Sequence, residues 1–124
     1  MAAPTAAQQE AVKQLQKFKG QESMLARKIN ELEAEIDAHN VVVKAITPMD
    51  ASRRCFRLVG GVLVERTVGE VLPQVTDNVK NITGIVEALK KQLADTQRQS
   101  FELQRRLGIT GGPAGAAGGA GGAA

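Results

Sequence analysis

Two stretches of this chain repeat apolar residues at alternating intervals of three and four, and they do so over nearly equal lengths. With Leu15 set at heptad position a, the first stretch has Leu15, Glu22, Ile29, Ile36 and Val43 at a and Phe18, Leu25, Leu32, His39 and Ile46 at d. Eight of these ten are apolar. The second has Leu72, Val79, Val86, Leu93, Ser100 and Leu107 at a, with Val68, Val75, Ile82, Leu89, Thr96 and Leu103 at d; here ten of twelve are apolar. A period near 3.5 residues, sustained for more than four heptads, makes a seam between helices rather than a helix lying on a globular core. Leu15 to Ile46 covers 31 steps and Val75 to Leu107 covers 32, so the seams match if the chain doubles back. The expected fold is mainly α: a long antiparallel two-helix coiled coil, roughly 50 Å long at about 1.5 Å rise per residue. Three Phe and no Tyr or Trp in 124 residues agree with it, because the rings that fill a thick core are missing.

Local signals set the boundaries. Residues 1–9 are expected to be flexible, helix 1 to cover 10–47, and Pro48 to end it by forcing Thr47 out of helical geometry. Thr67 followed three residues later by Glu70 has the form of a capping box, so helix 2 is placed at 68–110. Pro73, within its first two turns, predicts a kink or a restart. Gly20 and Gly84 fall at position f, away from the seam. Residues 111–124 are only Gly, Ala and Pro, a composition that predicts a disordered tail.

Between the seams, "CFRLVGGVLVERT", Cys55 to Thr67, breaks the heptads. β-branched and aromatic residues rise on either side of Gly60-Gly61, and a glycine pair supplies the positive φ angles of a tight hairpin turn. Strands are expected at about 55–59 and 62–66, within a linker-and-hairpin segment of 48–67 at the base of the coiled coil. A two-residue turn sets Val59 against Val62 and Leu58 against Leu63, on opposite faces of the ribbon, so both faces are partly apolar. An isolated two-stranded hairpin is marginal in water and leaves an unpaired edge on each strand. No other segment reads as a strand. Phe56, Leu58, Val59, Gly60, Gly61, Val62, Leu63 and Val64 are therefore assigned as the assembly element, joining strands from other chains in a β-rich hub.

The charges, sixteen basic against thirteen acidic, divide evenly along the sequence: six of each sign in residues 1–47, four and three in 48–73, six and four in 74–110. A nucleic-acid binder concentrates its positive charge, so that class is not expected. One cysteine, Cys55, cannot form an intrachain disulfide, which fits a reducing compartment. The N-terminal residues lack a signal-peptide pattern, and no apolar run reaches membrane-spanning length. A soluble intracellular protein without membrane partners is expected.

The stretch "RRCFRLVGGVLVERTVGEVLP", Arg53 to Pro73, flanked by two matched coiled-coil helices, resembles the β-type subunits of eukaryotic prefoldin. The resemblance covers about residues 10–109. It implies a heterohexamer in which this chain assembles with two α-type and three further β-type subunits, their hairpins forming an intersubunit β-barrel platform. It also implies six coiled-coil arms that hold unfolded or nascent proteins of the actin and tubulin class without ATP, and transfer of these clients to the cytosolic chaperonin. A cytoplasmic and also nuclear location, and a place in a related prefoldin-like assembly, belong to the same implication.

If the arms grip clients, apolar residues at the tip opposite the hairpin are the candidates: Val12, Leu15 and Phe18 on helix 1, and Leu103, Leu107 and Ile109 on helix 2. The plainer reading of Leu15, Phe18, Leu103 and Leu107 is that they finish the seam. Glu22, Thr96 and Ser100 weaken the seam just inside the tip. His39 at a d position has no second His or Cys at ligand spacing and reads as packing, not as a metal ligand. Cys55 has no acid-base partner and reads as a small strand residue. Arg53, Arg54 and Arg57 read as a solvated rim or an intersubunit ion pair rather than as a docking site. "VGGV" lacks the lysine and spacing of a phosphate loop. No catalytic residues, metal site or cofactor are expected.

Overall fold

The computed structural model describes residues 3–108; Ile109 and the Gly/Ala tail lie outside the described residues. The element order is α1 (Ala6–Ile46), β1 (Arg54–Val59), β2 (Val62–Thr67) and α2 (Val68–Leu107). Two long helices pack together and a two-stranded antiparallel hairpin links them. The described residues divide into two compact units: a terminal unit, residues 3–28 with 89–108, and a central unit, Ile29–Ala88.

α1 opens at Ala6, inside the stretch expected to be flexible, because a capping box holds it. The Thr5 backbone N–H donates to Gln8 Oε1 at 2.8 Å, and the Gln8 N–H donates to Thr5 Oγ1 at 3.1 Å. At its other end Thr47 N–H still reaches the Val43 carbonyl at 2.9 Å before Pro48 stops the ladder. α2 ends at Leu107, short of residue 110, where Gly108 turns left-handed at φ 73° and its N–H closes on the Arg105 carbonyl at 3.1 Å.

The start of α2 is fully accounted for. A helix N-terminus leaves unpaired N–H groups. Here Val68 N–H donates to the Arg53 carbonyl and Gly69 N–H to the Ala51 carbonyl, each at 2.9 Å. Glu70 N–H donates to Thr67 Oγ1 at 3.3 Å, while the Thr67 N–H returns a bond to Glu70 Oε1 at 2.9 Å. Gly69 sits so close to the linker that a Cβ there would meet the Ala51 oxygen at 3.3 Å. α2 then continues as one helix through Pro73. The carbonyl that the proline ring crowds, four residues back, belongs to Gly69.

The Thr67 N–H, and next the Thr67 hydroxyl, hold the Glu70 carboxyl below the usual carboxylate range. A depressed folded value means that the bond contributes fully above the ordinary range near ~4.3 and is lost as pH falls through the folded value. Thr67→Ala is expected to destabilise the central unit by about 1 kcal/mol at neutral pH. Glu70→Gln is expected to flatten the acid limb of a thermal-unfolding series, and an unchanged acid limb would contradict this assignment.

In the hairpin, Arg54 pairs with Thr67, Cys55 with Arg66, Phe56 with Glu65, Arg57 with Val64, Leu58 with Leu63 and Val59 with Val62. The turn is Gly60-Gly61, with φ 56° and 82°, the left-handed pair of a type I′ turn. Gly60→Val is expected to cost about 1–2 kcal/mol through backbone strain, whereas Gly60→Asn, compatible with that turn, is expected to be tolerated. Amide exchange of the hairpin distinguishes the two.

The central unit buries Ile29, Val68, Val71, Val75 and Val86, each 5% exposed or less. The terminal unit buries Leu15 and Leu103 together with Thr96 and Ser100.

Candidate functional site

The hairpin alternates faces as its register requires. Cys55, Arg57 and Val64 are half-buried on one face, and Arg57 Nη1 donates to Gln74 Oε1 of α2 at 3.0 Å, tying that face to the helix. On the other face Phe56, Leu58 and Leu63 are 58, 72 and 65% exposed. Val59 and Val62 beside the turn are also exposed. An ion pair, Arg54 to Glu65 at 3.8 Å, flanks this apolar strip in solvent and contributes little. Among the described residues no third strand covers either edge. All eight residues assigned from the sequence to assembly therefore lie on one two-stranded ribbon with a bare apolar face. Two leucines directly opposite each other, both largely exposed, form a patch that a lone hairpin has no reason to carry.

A groove of about 430 Å³ runs beneath β1 in the central unit, between Val42 and Ile46 of α1 and Val71 and Val75 of α2. His39 and Cys55 both line it. The His39 Nδ1–H donates to the Glu35 carbonyl oxygen at 2.7 Å, a bond within its own helix. Among the described residues no group of three His, Cys, Asp or Glu could hold a metal ion. No described helix is long and apolar enough to cross a membrane.

The candidate client residues separate by burial. Leu15 and Leu103 are 9 and 7% exposed, so the seam accounts for both. Phe18 and Leu107 are half-buried, and Val12 is exposed. Ile109 lies outside the described residues. Phe18 and Leu103 come together in the floor of a groove of about 500 Å³, whose walls include Gln14, Arg98, Glu102 and Arg106. Sequence reading passed over Phe101 and Met24, which are 45 and 67% exposed in the same unit. Their signal was available: each is a large apolar residue at a heptad position other than a or d.

Folding also regroups the charges that read as even along the sequence. The terminal unit contains ten lysines and arginines against four carboxylates, whereas the central unit contains six against nine. The window 1–47 averaged a basic first half of α1 with an acidic second half. Chain reversal then brings the basic half of α1 into one unit with the basic end of α2.

Residues 9–110 match the family described as prefoldin subunit. The chain is 39% identical over 101 residues to prefoldin subunit 2 of Arabidopsis thaliana, covering 77% of this chain and 68% of that one. It is 43% identical over 77 residues to the probable prefoldin subunit 2 of Dictyostelium discoideum, covering 62% and 66%. With human prefoldin subunit 2 the identity is 42% over 85 residues, 68% of this chain and 55% of the relative. The aligned region thus spans between about half and two thirds of the length of these relatives. The crystal structure of the prefoldin beta subunit from Thermococcus strain KS-1 has the same fold, with a TM-score of 0.78 at 15% identity, over 86% of this chain and 94% of that one. A family match across nearly the whole described chain, on two helices joined by a bare hairpin, places this chain in the prefoldin subunit family.

Proposed function

We propose that this chain is a β-type subunit of the prefoldin co-chaperone. Its hairpin completes a β-barrel platform with strands from two α-type and three further β-type subunits. Its terminal unit helps to hold unfolded or nascent proteins, of the actin and tubulin class, without ATP for delivery to the cytosolic chaperonin. The cytoplasm, and also the nucleus, are the proposed locations. The observation that carries the reading is the bare hairpin, with Leu58 and Leu63 opposite each other and exposed in a chain of this family.

Burial of Leu15 and Leu103 favours a second reading, in which this chain is a scaffold subunit with no client contact of its own. The test compares two assembled complexes, one with the natural chain and one with Val12→Ser, Phe18→Ser and Leu107→Ser. Each is assayed for suppressing aggregation of chemically unfolded actin and for handing it to the chaperonin. Capture predicts normal assembly with reduced suppression in the variant. Equal suppression by both complexes supports the scaffold reading.

A further inference from the structure

We infer that the terminal unit selects acidic, apolar segments of non-native polypeptide, an inference that rests on the client-capture reading above. Its apolar part is the groove floored by Phe18 and Leu103, with Phe101, Met24 and Val12 exposed in the same unit. Its charges are mostly of one sign, ten basic groups against four carboxylates. α1 contributes Lys13, Lys17, Lys19, Arg27 and Lys28 to this unit, and α2 contributes Lys90, Lys91, Arg98, Arg105 and Arg106.

Three of the unit's four carboxylates are already engaged. Glu22 faces Lys19 at 3.8 Å, Asp95 pairs with Arg98, and Glu102 receives two bonds from Arg105 at 2.9 and 3.1 Å. These are neighbours three residues apart on one helix, so they balance each other locally and leave the unit with six more basic than acidic groups. Arg98, which pairs with Asp95, and Arg106 stand in the groove wall with Glu102, which Arg105 engages, so the wall keeps an excess of positive charge. Charge of one sign around an apolar cleft raises the local concentration of an oppositely charged partner and penalises like-charged ones.

The occupant that satisfies both parts is a chain with apolar side chains for the floor and Asp or Glu beside them for the wall. A polyanion such as single-stranded RNA meets only the second requirement. Binding of that kind depends on rows of stacked aromatic rings as well as charge, and Phe18 and Phe101 are the two rings the unit has.

The test uses the assembled complex and three fluorescent unfolded peptides of identical apolar content, flanked by Asp/Glu, by Ser/Asn or by Lys/Arg. The acidic peptide is expected to bind on the order of tenfold more tightly than the basic one at physiological salt, a preference that shrinks as salt is raised. A complex carrying Arg98→Gln and Arg106→Gln is expected to lose most of that preference, while Arg98→Lys with Arg106→Lys retains it. Equal binding of all three peptides overturns the charge selection and leaves client capture standing. Failure of the complex to bind any of the three overturns both. Displacement of the acidic peptide by a single-stranded oligouridine at lower concentration than by unlabelled peptide overturns the polypeptide assignment in favour of nucleic acid.

Discussion

A chain carrying Leu58→Asp is expected to keep both helices and to drop out of the prefoldin assembly. Leu58 is 72% exposed and Leu63, directly across the ribbon, is 65% exposed, so within this chain neither side chain has much packing to lose. Fully burying a leucine against another subunit is worth about 1.5–3 kcal/mol, and an unpaired carboxylate in that position adds a desolvation penalty. Loss of roughly two orders of magnitude in subunit affinity follows, since 1.4 kcal/mol is about tenfold. Leu58→Asp combined with Leu63→Lys separates assembly from hairpin stability, because opposite charges across a strand pair support the ribbon while still removing its apolar face. Both variants are expected to show the circular dichroism of the natural chain and to be absent from the eluted complex when co-expressed with the other subunits. Alone, the natural chain is expected to self-associate through its bare apolar face, and the double variant to be monodisperse. Normal co-elution of the double variant would exclude the hairpin as the assembly element.

What made this surface legible beforehand was local chemistry with little freedom. Gly60-Gly61 admits the two-residue turn with both φ values positive, and that turn fixes the register, so the exposed pair Leu58 and Leu63 could be named from the sequence. Thr67 and Glu70 marked the start of α2 for the same reason: a capping box is two reciprocal bonds between near neighbours. An equivalent box at Thr5 and Gln8 went unread because no apolar period begins at Ala6, and the seam was used to locate the helix. Pro73, by its own chemistry, argues for a kink or a restart, and α2 is one helix across it.

The terminal unit was less legible, because its character depends on which residues the fold gathers. Heptad positions assigned Leu15, Phe18 and Leu103 to the seam but could not say that Phe18 stays half-buried in a groove while Leu15 is enclosed. The charge of the unit is averaged away in windows as long as a helix, since half of it comes from the first part of α1 and half from the end of α2. Phe101 was hidden by the heptad template, which attends to two positions in seven.

Replacing Ser100 by Ala is expected to make the chain more stable, by about 1 kcal/mol, from the usual penalty for an unsatisfied buried polar group less the small void left behind. Ser100 is 1% exposed and its Oγ has no hydrogen-bond partner among the described residues. Glu22 Oε2, also at a heptad a position in the terminal unit, is buried and unpartnered in the same way. Its other oxygen faces Lys19 at 3.8 Å, but that lysine is half-exposed and holds it weakly. Glu22→Leu removes a desolvated carboxylate and adds an apolar side chain to the seam, so a larger gain of about 2 kcal/mol is expected. Thr96 differs, because its Oγ1 donates to the Gln92 carbonyl at 2.9 Å, and Thr96→Val is expected to change little. A seam held below its attainable stability at two positions in one unit opens more readily there, which suits an arm that must part around a bulky chain. Amide exchange in the assembled complex is therefore expected to be faster around Glu22 and Ser100 than around Val75 and Val86. In the Glu22→Leu, Ser100→Ala variant that difference should disappear, with suppression of client aggregation falling as thermal stability rises. Uniform protection out to Leu107 in the natural chain, or a stabilised variant that holds clients equally well, would show that these polar seam residues have no part in capture.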